Sequence, residues 1–186
     1  MTNQGFWSMK RTAGVLMIAA QVPMALGLSL FIGRNGVEGG APQSPALFMW
    51  ERGGWLAAVF LTALGLIPLE GALQETKGRV LARLGASAYF FGAVLVVVAE
   101  AMPLPRDQSS YPLIVIYVVL AFLGQAAVGI ALLQSTLLAA WVGWITIVWN
   151  IGWLVALSIF SPDDLYYPIL HHMMPLLIGI MLLVRR

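Results

Sequence analysis

The sequence contains no cysteine, which removes disulfides, thiolate metal ligands, iron–sulfur clusters and a cysteine nucleophile, and leaves the redox compartment unread. Charge is nearly as scarce. Only 10% of the 186 residues are charged, where a soluble domain carries about a quarter. With 60% apolar residues, a soluble fold of this length has too little polar surface to cover its core. The chain also has no G-x-S-x-G elbow, Walker loop, H-E-x-x-H pair or dinucleotide fingerprint. A formal charge of +2 points to no nucleic-acid partner.

What is present is apolar sequence in long runs. A helix needs about 20 apolar residues to cross roughly 30 Å of hydrocarbon. Six stretches meet this, at about 12–32, 54–73, 84–104, 111–134, 137–160 and 168–184. The expected fold is all-α: a polytopic membrane protein with one domain, a six-helix transmembrane bundle set in a lipid bilayer. Only Gln134, Ser135 and Thr136 join the fourth and fifth stretches, which implies a tight antiparallel hairpin.

Basic residues set the orientation. With a cytoplasmic N-terminus, Lys10, Arg11, Lys77, Arg79, Arg83, Arg185 and Arg186 lie inside, and only Arg34, Arg52 and Arg106 lie outside. Both termini are therefore expected in the cytoplasm, with the plasma membrane as the host bilayer. Lys10-Arg11 ahead of an apolar run also fits a signal peptide. The run is longer than a typical signal core and no small-x-small cleavage site follows, so the first span is the expected reading.

The long outer loop at 33–53 is rich in glycine and proline. Ser44-Pro45 reads as an N-cap and first helical residue, predicting a short amphipathic helix at about 45–52 on the outer surface. Ser161-Pro162-Asp163-Asp164 repeats this start signal, and Tyr166 and Tyr167 fit an aromatic belt.

Small and amide side chains recur along the helix faces. Gln21, Ala25 and Ser29 form one stripe, Ala121, Gln125 and Gly129 a second, and Ala139 and Gly143 share a third with Asn150. Close helix packing explains them, and the alternative is a polar pocket near the midplane. Three spans per half would permit inverted repeats, yet beyond a glutamine early in each half there is no self-similarity.

Ionisable groups inside a span are costly and point to function by default. Glu100 is expected just below the outer end of the third span, and His171 and His172 just below Pro168, at nearly the same depth. A carboxylate and an imidazole in one layer can pair or share a proton. The expectation is either a polar site open to the outside or a hydrogen bond pinning the third and sixth helices. Pro175 cannot donate to the His171 carbonyl, which places a free acceptor in the same layer. Trp149 and Trp153 share a face of the fifth span beside Gly152, where they could stack on a flat ligand such as a quinone or carotenoid, or simply pack.

The candidate ligand-binding residues are thus Glu100, His171, His172, Asn150, Trp149 and Trp153, with no catalytic or metal-binding residue assigned. Two adjacent histidines are not a metal motif, bis-histidine haem needs two facing helices, and none of the six stretches contains a lysine for a Schiff base. No cofactor is called for. The first functional expectation is binding or translocation of a small molecule or ion, apolar or cationic, in the outer half of the bundle. A non-catalytic subunit or assembly factor held by membrane-protein partners is the alternative. A lipid-acting enzyme with Glu100 and a histidine as acid and base ranks last, because nothing supplies a nucleophile or metal.

Overall fold

The computed structural model describes residues 3–35, 44–101, 110–162, 165 and 167–184. Among these residues the chain is helical and has no strands. The helices are α1 (Asn3–Ala19), α2 (Gln21–Asn35), α3 (Pro45–Leu73), α4 (Arg79–Ala101), α5 (Tyr111–Leu133), α6 (Ala140–Phe160) and α7 (Pro168–Val184). Ser8–Arg34, α3, α4, α5 and α6 are long and apolar enough to cross a membrane; α7, with 17 residues, is shorter. The first of these takes in Lys10, which is buried, so a lysine does lie within a candidate span.

A turn at Ala20 divides the first span into α1 and α2. Its cause is local, because Pro23 has no N–H to give the Ala19 carbonyl. The expected separate surface helix at 45–52 does not exist. Those residues are the first two turns of the 29-residue α3, which runs straight through Gly53 and Gly54. Gly54 is seated on α2, where a Cβ would meet the Pro23 carbonyl at 2.7 Å, and this contact replaces the break two glycines would otherwise invite. Ser44 occupies the N-cap position, although its side chain makes no capping bond. The start signal at Ser44-Pro45 is met, and the one at Ser161-Pro162 is not. Ser161 is the C-cap of α6, donating its N–H to the Leu157 carbonyl, and α7 begins only at Pro168. Asp163, Asp164 and Tyr166 of that signal lie outside the described residues. The α5–α6 hairpin is present with a longer joint, in which the Ser135 hydroxyl donates to the Leu132 carbonyl and accepts from Leu137 N–H.

Neighbours in sequence are mostly neighbours in space. The first span lies on α3, α3 on α4, α4 on α5 and α5 on α6, while α7 returns to pack along α1 and touches α2, α3, α5 and α6 more lightly. Glycines set the closest crossings. Gly124 of α5 meets Gly85 of α4, where a Cβ would come 2.7 Å from the Gly85 carbonyl. Gly143 of α6 meets Gly129 of α5 at 2.8 Å by the same measure. The stripes containing Gly129 and Gly143 therefore serve packing, as small residues do between apolar helices.

Candidate functional site

α7 sits where the other helices converge, and its broken hydrogen bonding organises the site. Pro175 leaves the His171 carbonyl without a helical donor. Gln125 of α5 supplies one, its Nε2 donating at 2.8 Å. The flanking carbonyls are held from two other helices. Trp149 of α6 donates Nε1–H to the Leu170 carbonyl at 3.0 Å. Gln21 of α2 donates to the Met17 carbonyl at 3.0 Å and reaches the His172 carbonyl at 3.5 Å. Three successive carbonyls of α7 are thus met by side chains from α6, α5 and α2.

The two imidazoles project from the same turn into the buried interior. His172 Nδ1 lies 3.3 Å from the Thr62 hydroxyl of α3. The His171 ring lies against Phe122 and Tyr117 of α5, with ring centres 4.2 and 5.4 Å away. Tyr89 of α4 meets Tyr117 edge-on at 6.5 Å, and its hydroxyl lies beside Thr62 and Tyr117. Asn150 joins from α6. Thr146 sits against Gly129 of α5, and α5 and α6 run antiparallel, so one turn onward brings Asn150 to the level of Gln125. Gln21, Thr62, Tyr89, Gln125, Asn150 and the histidines form one central layer to which every span contributes.

The layer is defined by what its groups do not bond. A carbonyl only accepts, so the amide NH₂ of Gln125 must face the His171 carbonyl and that of Asn150 the Thr146 carbonyl, at 2.8 and 2.7 Å. This fixes both amides and turns their oxygens away from those bonds. Gln125 Oε1, Asn150 Oδ1, both ring nitrogens of His171 and Nε2 of His172 are all buried without a hydrogen-bond partner among the described residues. More than nine in ten buried polar groups in proteins are bonded to something. Five such atoms belong to this layer.

Glu100 is not part of this layer. Its carboxylate pairs with Arg52 at 2.9 Å, and Glu51 pairs with Arg34 at 3.1 Å. Both guanidiniums lie over the Phe48 ring, Arg52 also over Trp55 and Arg34 over Phe31. Arg52 stands about ten residues from Thr62 along α3, roughly 15 Å at 1.5 Å per residue. The expected Glu100–histidine layer is therefore corrected: the carboxylate belongs to one end of the bundle and the histidines to its middle. The error came from measuring depth from each helix start. The Leu170 carbonyl meets Trp149, halfway along α6, so α7 begins well inside the bundle.

Trp149 and Trp153 stand edge to face at 5.8 Å on the flank of the layer. With Trp144, Ile145, Val148, Gly152 and Ala156 they line an apolar groove of about 420 Å³ on the outer side of α6. The six sequence candidates thus divide three ways. His171, His172 and Asn150 share the central layer, Glu100 lies at the Arg52 end, and the tryptophans border a groove. The sequence reading missed Thr62 and Tyr89, each one polar group in an otherwise apolar run, and it read Gln125 first as packing. Among the described residues no three His, Asp or Glu side chains gather closely enough to hold a metal ion.

No family model matches the chain, and neither a curated protein nor a solved structure matches it.

Proposed function

We propose that this chain is a multi-pass protein of the plasma membrane, with six spans and both termini in the cytoplasm, that binds a small polar molecule or ion in the central layer and passes it across the bilayer. One observation carries the reading: five buried polar atoms of the layer, on side chains of α5, α6 and α7, have no hydrogen-bond partner among the described residues. A bundle that needed only to pack has no use for them, since apolar groups of similar shape would leave nothing unsatisfied. The ion pairs Arg52–Glu100 and Arg34–Glu51 cover one end of the bundle, which suits a site closed from that side.

Transport is tested by stopped-flow light scattering on proteoliposomes given gradients of ammonium, urea or glycerol. At least one solute should equilibrate faster than in empty liposomes, and His171→Phe should abolish the gain. Equal rates with and without protein for every solute refute translocation. Orientation is tested on intact cells by adding single cysteines to a chain that has none. An impermeant maleimide should label Ser44→Cys and spare Lys77→Cys; the opposite pattern inverts the topology.

A second reading draws on the aromatic groove of α6, an apolar face that suits a partner in a larger membrane complex. Gentle detergent extraction should then recover a stoichiometric companion, and a lone chain would dismiss it.

A further inference from the structure

The central layer also restricts the chemistry of what it holds. Its two amides cannot turn over, because each NH₂ is committed to a backbone carbonyl. Gln125 Oε1 and Asn150 Oδ1 are therefore permanent acceptors. A neutral imidazole has one acceptor nitrogen, so His171 adds another. The permanent features of the layer accept hydrogen bonds. Its donors depend on how hydroxyl and imidazole hydrogens are arranged.

Charge points the same way. Arg34 and Arg52 are the arginines described at the near end of the bundle, each is joined to a carboxylate, and both stand roughly 15 Å or more from Thr62 by helical rise. The buried ammonium of Lys10 belongs to a residue roughly 16 Å from Gln21 by helical rise, so an anion in the layer would face amide oxygens with no cation drawn up to them. A molecule rich in N–H donors meets the opposite situation. The aromatic rings of Phe122 and Tyr117 beside His171 are also compatible with positive charge, because ring faces are electronegative.

We infer that the central layer is a site for ammonium or a small primary amine, held through its N–H groups by Gln125 Oε1, Asn150 Oδ1 and the imidazole of His171. This rests on the proposed binding site and names its ligand class. The other groups facing the layer are Gln21 from α2, Thr62 from α3, Tyr89 from α4, Tyr117 from α5, Trp149 from α6 and His172 from α7.

The test uses the intact chain in proteoliposomes and radiolabelled methylammonium. Uptake should exceed that of empty liposomes several-fold. Asn150→Leu should cut it about tenfold, the worth of one buried hydrogen bond at the strong end. Because the Asn150 amide donates to Thr146 of its own helix, this variant removes no hydrogen bond between helices among the described residues, and the melting temperature of the variant shows whether its packing holds. Binding is read separately, as the melting temperature of the purified protein in methylammonium chloride against tetramethylammonium chloride, which has no N–H. Methylammonium alone should raise it. Equal stabilisation by both salts, or uptake that Asn150→Leu leaves unchanged, overturns the inference. Urea or glycerol moving while methylammonium does not also overturns it and leaves the broader transport reading standing. Movement of no solute at all removes both.

Discussion

The Arg52 end and the central layer handle polar groups in opposite ways. At the end, full charges are matched one to one: Arg34 with Glu51, Arg52 with Glu100, each guanidinium also resting on aromatic rings. In the middle the groups are uncharged amides, hydroxyls and imidazoles, and much of their hydrogen-bonding capacity is unspent. Each ion pair fixes helices against one another, although the Nε of Arg34 and of Arg52 is itself buried without a hydrogen-bond partner among the described residues. An unmatched amide oxygen is costly unless something outside the chain satisfies it. The end sets charge against charge and the middle gathers neutral acceptors, which moves the proposed site from Glu100 to the histidine layer.

The sharpest way to break this contrast is to unmatch the end. Glu51 is almost fully buried. Glu51→Ala should cost roughly 3 kcal/mol, because it strands the Arg34 guanidinium. Adding Arg34→Met should return most of that loss, since replacing a buried pair by apolar groups is often neutral. Detergent unfolding curves of the two variants decide the matter. If Glu51→Ala is neutral, the pair is not what holds α2 to α3.

The middle should respond differently. Gln125→Leu takes away the side-chain donor on a carbonyl that Pro175 has already deprived, at a cost of about 2 kcal/mol. Pro175→Ala in the same background restores an N–H to His171 and should recover part of it. Recovery of stability without recovery of methylammonium uptake would separate the two roles of Gln125, as a strut for α7 and as an acceptor in the site. Recovery of both would mean that its oxygen has no part in binding.

How much of this was legible follows from the range of the forces involved. Length and hydropathy marked out the apolar helices, five of them long enough to cross a membrane, because such a length of apolar sequence is a local property of composition. The Pro175 effect was also readable, since the lost bond lies four residues back in the same helix. What answers it was not, because Gln125 is brought to His171 only by the packing of α5 against α7. Depth failed for the same reason. Helix starts give a common level only if all helices begin at one surface, and the Leu165 N–H, bonded to the Tyr111 hydroxyl at 3.0 Å, belongs to a connection that precedes a helix starting deeper in the bundle. The surface helix at 45–52 was misjudged because Gly53-Gly54 looks like a break until α2 is seated upon it.

The smallest effect is expected from a third arrangement, at the opposite end. Arg83 bonds Glu70 at 3.2 Å, but the arginine is 71% exposed, so water screens the pair and competes for both partners. Arg83→Ala should change stability by less than about 0.5 kcal/mol, and added salt should leave even that difference small. Its worth lies in comparison with Glu51→Ala. Both substitutions remove one partner of an ion pair drawn at nearly the same distance, 3.1 and 3.2 Å. If burial rather than contact distance decides what an ion pair contributes, the losses in unfolding free energy must differ several-fold. Similar losses from both would show that the buried pair is solvated like the exposed one, and the Arg52 end would then be a wet mouth rather than a closed cover over the central layer.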